Sequence, residues 1–246
     1  MTDADSRRTA TYALAVLTFI NLFNYVDRWV VAAVVESIKR SELALSDFQL
    51  GFIGTGFIVV YTATSPWFGR LGDRRARPPL IAIGVFLWSL ATALAGFARG
   101  FWSLLIARSA VGVGEAAYGT IAPALLADHF PLEKRGRVMS VFFAAIPVGS
   151  AAGYVLGGLV DKYLGWRAAF WIAGAPGILL ALLVWKVVDA PRGQFDLKRE
   201  GAGEDTRVPN LWQAYKHLLK NRTYLITALG YGAYTFALGG LAFWMP

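Results

Sequence analysis

Long apolar stretches separated by short polar connections dominate the chain. About 20 predominantly apolar residues are needed for a helix to cross the hydrocarbon core of a bilayer. Seven stretches reach that length: 10–35, 48–68, 80–98, 102–127, 138–160, 168–188 and 223–245. The first starts behind Arg7 and Arg8, but it is too long for a cleavable signal peptide and carries Asp27 and Arg28, so it is expected to stay in the mature protein. Connections among the first six stretches are short, whereas 189–209 is charged and contains glycine, as a linker between bundles would. A helix over 210–220 follows, capped by Asn210. Leu211, Trp212, Tyr215, Leu218 and Leu219 share one face, and Gln213, Lys216, His217 and Lys220 the other. That pattern predicts a helix lying in the membrane interface, with a loop helix packed on protein as the alternative. The pattern therefore predicts an all-α membrane protein with a tail over 1–9, a six-helix bundle over 10–188, a linker over 189–221 and a seventh span within 222–246.

Composition supports this. The chain is 56% hydrophobic and 16% charged, against about 25% charged in an average soluble domain, and its mean hydropathy is +0.48. The net charge of +8 raises the question of a nucleic-acid partner. Position answers it. With an inward N-terminus, Arg7, Arg70, Arg74, Arg77, Lys134, Arg137, Arg192, Lys216 and their neighbours put seventeen of the 24 basic residues on the cytoplasmic side, and Lys39, Arg40, Arg99, Lys162 and Arg167 put five outside. Arg28 and Arg108 stay within the spans. The excess is topological, by the positive-inside rule, and a nucleic-acid partner is not expected. The chain has no cysteine, and His129 and His217 are far apart without ligand-like neighbours, so neither a metal nor another cofactor is expected. No nucleophile stands beside a base, which argues against an enzyme.

A repeat is visible within the bundle. Gly69-Arg70-Leu71-Gly72-Asp73-Arg74 closes the second span and Gly157-Gly158-Leu159-Val160-Asp161-Lys162 the fifth, with Leu, Asp and a basic residue in register. The predicted topology sends these copies to opposite faces, as two inverted three-helix units require. Gly69 to Arg77 also resembles the loop motif between the second and third helices of the major facilitator superfamily, with Ala76 where that motif has glycine. The resemblance implies the N-terminal half of such a transporter, and makes Gly69, Asp73, Arg74 and Arg77 a conformational latch, Asp73 accepting hydrogen bonds from the second bundle in the outward-open state. A solvated charge cluster that only sets topology is the alternative.

The most informative residues are charged and lie at membrane depth. Such groups are costly there and normally face a cavity and a partner. In the first span Asn21, Asn24, Tyr25 and Arg28 share a face, with Asp27 at its edge. In the fourth, Arg108, Gly112, Glu115 and Gly119 form one stripe. Arg28 is the candidate for an anionic headgroup, with Asn24, Tyr25 and Arg108 as further substrate contacts. Asp27 and Glu115 are the candidates for proton coupling, Glu115 being open to capture by Arg108 on its own stripe. A purely structural network of two acids and two bases is the rival reading. In the fifth span Gly149, Gly153 and Gly157 support close helix packing.

Asn24-Tyr25-Val26-Asp27-Arg28, Gly114-Glu115-Ala116 with Tyr118 to Pro123, and Ile146 to Ser150 resemble the Spinster family within that superfamily. The resemblance implies proton-linked transport of a lysophospholipid or sphingoid phosphate by alternating access between two six-helix bundles. Its partners would be the lipid, protons, the surrounding membrane lipids and a C-terminal six-helix bundle. Two alternatives stay open: an organic anion/proton symporter, and a membrane receptor or scaffold that transports nothing. The composition suggests a bacterial inner membrane. Because a rocking transporter needs two bundles, the 246 residues alone are not expected to transport.

Overall fold

The structure is a computed structural model and describes residues 3–196 and 211–244. It divides into two units, the first holding six helices and the second two. In the first unit, α1 (Asp3–Arg40) begins seven residues ahead of the predicted span, so most of the expected tail is helical. Asp5 near its start suits the positive end of the helix dipole. A capping box between Ser46 and Gln49 starts α2 (Asp47–Arg74), and prolines in the first turn start α3 (Arg77–Ala95), where a missing N–H costs nothing. α4 (Phe101–His129) and α5 (Leu132–Leu164) follow. Gly165 alone joins α5 to α6 (Trp166–Val184), with φ +82°, a left-handed value that favours glycine. These six helices are long and apolar enough to cross a membrane. The seventh predicted stretch is helical in the second unit, as α8 (Arg222–Trp244), preceded by α7 (Leu211–Lys220). The predicted Asn210 cap lies outside the described residues.

Packing within the bundle follows the predicted repeat. α1 lies on α5 as α4 lies on α2; α1 meets α6 as α4 meets α3; and α3 meets α6. Exchanging α1–α3 for α4–α6 maps this set onto itself, which is the contact pattern of two inverted repeats. The glycines explain the closeness. A Cβ on Gly149 would lie 2.5 Å from the Leu22 carbonyl oxygen, and one on Gly153 would lie 2.6 Å from that of Val26. Both obstacles are α1 backbone, which cannot rotate away. Gly153→Ala is therefore expected to cost about 1 to 3 kcal/mol through forced separation of α1 and α5, read as a lower melting temperature in detergent.

Two apolar clusters fill the bundle, one around Leu17, Trp88, Tyr118 and Phe142, the other around Val30, Leu104, Trp166 and Phe170. Of the buried polar residues, Thr92 on α3 and Arg108 on α4 fall between them, Asp27 lies beside Val26 and Val30 of the second, and Glu115 lies between Val111 and Tyr118 of the first. The charged layer is thus sandwiched by hydrocarbon on both sides.

Each end of the bundle is closed by an arginine at the start of a repeat's third helix. Arg77, buried at the start of α3, donates to Asp128 at 2.5 Å and to Asp189 at 2.7 Å, and also to the Ala190 carbonyl. Arg167, at the start of α6, donates to the Gly96 and Ala98 carbonyls at 2.9 and 2.8 Å, and also to Glu42. In both cases the arginine grips the chain just beyond the other repeat's third helix, and a carboxylate at or just past the end of that repeat's first. The expected linker accordingly starts later than the sequence suggests. Asp189 holds Arg77, Arg192 donates to the Gly72 and Arg75 carbonyls at 2.9 and 2.6 Å, and Asp196 pairs with Arg135 at 2.9 Å. Residues 189–196 are a strap across α2, α3 and α5, because every charge in them has a bundle partner.

Candidate functional site

α1 and α4 bring the four intramembrane charges together, but as two separate pairs. Arg108 donates to Asp27 Oδ1 at 3.2 Å, and Thr92 of α3 donates to Asp27 Oδ2 at 2.8 Å. The side chains of Asp27 and Arg108 are 1% and 5% exposed. Arg28 pairs with Glu115, its Nη2 and Nε lying 2.6 and 2.7 Å from Oε2. Here the partners differ, since the Glu115 side chain is fully buried and that of Arg28 is 30% exposed. The partner expected for Glu115 from its own helical stripe, Arg108, belongs instead to Asp27. Asp27 and Arg28 are adjacent on α1, whereas Arg108 and Glu115 lie seven residues apart on α4, about two turns, so the two α1 neighbours meet partners at different levels of α4.

The pairs differ in what they can do. Both Asp27 oxygens are engaged, by Arg108 and Thr92. Buried ions with complete partners resist exchange, because a proton entering would break a bond it cannot replace. Glu115 Oε1, by contrast, meets no cation; the neutral side-chain amide of Asn24 is the group beside it, short of good hydrogen-bond geometry. A carboxylate with one oxygen beside only a neutral amide, attached to a base that reaches the surface, can exchange both proton and partner.

Aromatic rings surround the exposed part of this pair. The Arg28 guanidinium carbon lies 5.2 Å from the Tyr25 ring centre, 5.1 Å from that of Phe57 and 5.3 Å from that of Tyr61, distances at which ring faces attract cations. Phe57 and Tyr61 come from α2 and escaped the sequence reading, although their four-residue spacing puts them on one helical face. The glycine stripe of α4 admits them. A Cβ on Gly112 would lie 2.8 Å from the Phe57 carbonyl oxygen, and one on Gly119 would lie 2.6 Å from the Tyr61 hydroxyl. The stripe read as a motif is, physically, the seat of α2.

Arg28, Asn24, Tyr25 and Glu115 therefore form one site, while Arg108 is buried with Asp27 and meets that site only at the Phe57 ring, 6.0 Å from its guanidinium carbon. The remaining sequence-predicted residues lie at the Asp73 end. Gly69 and Asp73 line a cavity of about 140 Å³ together with Arg77, Thr120, Asp128 and Arg192. Asp73 and Arg74 are exposed. Arg77 is not, since its side chain is engaged inside the bundle by Asp128 and Asp189. Sequence position groups Arg77 with the latch, but its hydrogen bonds group it with the strap.

Three comparisons bear on what the site does. The family profile of the Major Facilitator Superfamily matches residues 17–246. Protein spinster homolog 1 of Rattus norvegicus is 40% identical over 98% of this chain and 46% of its own, and Protein spinster of Drosophila melanogaster is 35% identical over 97% and 39%. The chain spans about half the length of the curated relatives it matches. Among solved structures, a bacterial homolog to the human lysosomal transporter Spinster, in an inward-facing and unoccupied conformation, aligns with a TM-score of 0.75 at 28% identity, over 90% of this chain and 51% of its own.

Proposed function

Since the chain belongs to the Major Facilitator Superfamily, we propose that it is the first half of a secondary active transporter moving an amphipathic anionic or zwitterionic lipid by proton-linked alternating access. The observation that carries this reading is the Arg28–Glu115 pair, with its buried acid, partly exposed base and aromatic surround. The anion of the cargo and the Glu115 carboxylate compete for one guanidinium. While Glu115 is ionised, Arg28 is occupied; once Glu115 takes a proton, Arg28 is free to grip a phosphate or carboxylate with its fork of donors. Proton and anion then load together, which is symport. Tyr25, Phe57 and Tyr61 offer apolar surface beside the headgroup site, suited to the first part of an acyl or sphingoid chain, the kind of cargo that the resemblance to the Spinster family implies.

A second reading, an organic anion/proton symporter, uses the same pair, because a guanidinium binds carboxylate as readily as phosphate. Uptake into proteoliposomes distinguishes them, with the chain completed by its second bundle and a panel of lysophospholipids, sphingoid phosphates and small organic anions offered with and without an inward proton gradient. We expect lysolipid or sphingoid phosphate uptake that the gradient increases, and Arg28→Ala to lower it at least tenfold. Uptake of small anions in preference would replace the lipid reading with the second one. A receptor or scaffold would show no gradient-driven uptake at all.

At the Asp73 end, the exposed carboxylate of Asp73 remains the proposed latch to the second bundle, working with Gly69 and Arg74, and Arg77 supports it from within. Asp73→Asn is expected to shift the completed protein toward inward-open by about 1 to 3 kcal/mol. Unchanged spin-label distances across that end would remove the proposal. We take this end, whose loops are rich in arginine, to be cytoplasmic by the positive-inside rule, and the membrane to be a bacterial inner membrane.

A further inference from the structure

In the second unit, α7 and α8 are joined by Asn221 alone. Its N–H donates to the Leu218 carbonyl at 3.0 Å, its carbonyl accepts from the Leu225 N–H at 3.0 Å, and its side-chain oxygen accepts from the Tyr224 N–H at 3.2 Å. One residue therefore ends the first helix and caps the second, leaving no slack between them. α8 exposes Tyr224, Ile226, Leu229 and Tyr231 and is suited to an apolar surrounding. α7 is of another kind. Trp212, 76% exposed, lies on the same side as Tyr215 and Leu219, while Gln213, Lys216, His217 and Lys220 lie on the other. Lys216, Lys220 and Arg222 crowd the joint, and the chain has no acidic residue after Asp205.

We propose that α7 is a docking element for an acidic phospholipid surface, its Trp212, Tyr215 and Leu219 side chains set among the headgroups and upper acyl chains and its lysines against lipid phosphates. Two observations specify lipid as the occupant. The short joint holds α7 at the end of an apolar helix, where a membrane boundary would lie. The charge of α7 and the joint is of one sign, complementary to an anionic leaflet. Tryptophan and tyrosine suit that depth, since each has an apolar body and a polar tip, and lysine can extend its ammonium outward along its own stem. The inference is independent of the cargo proposed above.

The absence of cysteine in the chain makes the test direct. Trp212→Cys, Gln213→Cys, His217→Cys and Leu219→Cys, each carrying a nitroxide, are reconstituted in phosphatidylcholine vesicles with and without phosphatidylglycerol. Collisions with oxygen, which concentrates in lipid, are compared with those of a water-soluble nickel chelate. The oxygen-to-nickel ratio is expected to be several-fold higher at 212 and 219 than at 213 and 217. The contrast should grow with phosphatidylglycerol, and Lys216→Gln with Lys220→Gln should abolish that growth. Low collision rates with both reagents at 212 and 219 would mean a protein-covered face and overturn the proposal. Nickel reaching all four positions equally would place α7 in water and overturn it too, and a contrast indifferent to phosphatidylglycerol would overturn the acidic-lipid assignment.

Discussion

Arg77→Ala lowers the stability of the bundle by about 3 to 5 kcal/mol, the usual consequence of leaving buried ionic partners without their counterion. The expectation follows from where the guanidinium sits. Arg77 is buried and supplies the bonds that hold Asp128, Asp189 and the Ala190 carbonyl together at one end of the bundle. Its loss leaves two carboxylates without their cation, each with a backbone N–H, and loosens the strap, including Arg192, from the end of α2 that carries Asp73. Thermal unfolding in detergent should show the drop, and Arg77→Lys should recover little of it, because a single ammonium cannot span three acceptors in different directions. A variant of normal stability would mean that α3 is held by apolar packing alone.

The partner clamp should respond differently. Arg167→Ala removes carbonyl contacts and an exposed acid, so its effect is expected to be smaller. It also depends on pH. The Arg167 hydrogen bond holds the Glu42 carboxyl below its usual range. A group with a depressed folded pKa contributes stability above its unfolded value and loses that contribution as pH falls through the folded one. Acid therefore weakens this clamp, to a small extent given that Glu42 is exposed.

How far the sequence could be read depended on the type of interaction. Hydropathy alone located the six spans, because lipid forces every backbone bond into the helix and leaves length and apolarity as the remaining requirements. The repeat was visible in the Asp73 and Asp161 copies, and the helix contacts follow it. Glycine spacing in α5 pointed to close packing, and the structure supplies α1 as the helix that Gly149 and Gly153 meet. Pairings across helices were harder. Placing Arg108 and Glu115 on one stripe was sound helical geometry, yet partner choice depends on the neighbouring helix, and α1 offers Asp27 to one and Arg28 to the other. Thr92 carried no signal, since a lone threonine in an apolar helix more often bonds its own backbone. Phe57 and Tyr61 carry no charge or motif that sets them apart from the other aromatic residues of the spans. The strap was read as a linker because its charges suit solvent equally well, and nothing local reveals that Asp189 and Arg192 reach residues more than a hundred positions earlier.

The separation into a sealed pair and an open one makes opposite expectations for two mutations that look alike in sequence. Asp27→Asn removes the charge facing Arg108 in a layer with no access to water, so it should express poorly or melt with a loss of about 3 to 5 kcal/mol. Glu115→Gln should be tolerated, because Arg28 is partly exposed, rests among three rings and retains an uncharged partner of the same shape. In the completed transporter this variant mimics a permanently protonated carboxyl. Cargo should still bind, and exchange down its own gradient should continue, while accumulation driven by a proton gradient is lost or falls at least tenfold. Measuring melting temperature, binding and gradient-driven uptake on the same two proteins separates structure from coupling without further variants. If Glu115→Gln accumulates cargo against its gradient as the parent does, at normal stability, the carboxylate is not the coupling proton site. If Asp27→Asn is the variant that stays stable and loses coupling, the roles of the two pairs are reversed, and the proton must reach Asp27 in a state where α3 and α4 have parted around it.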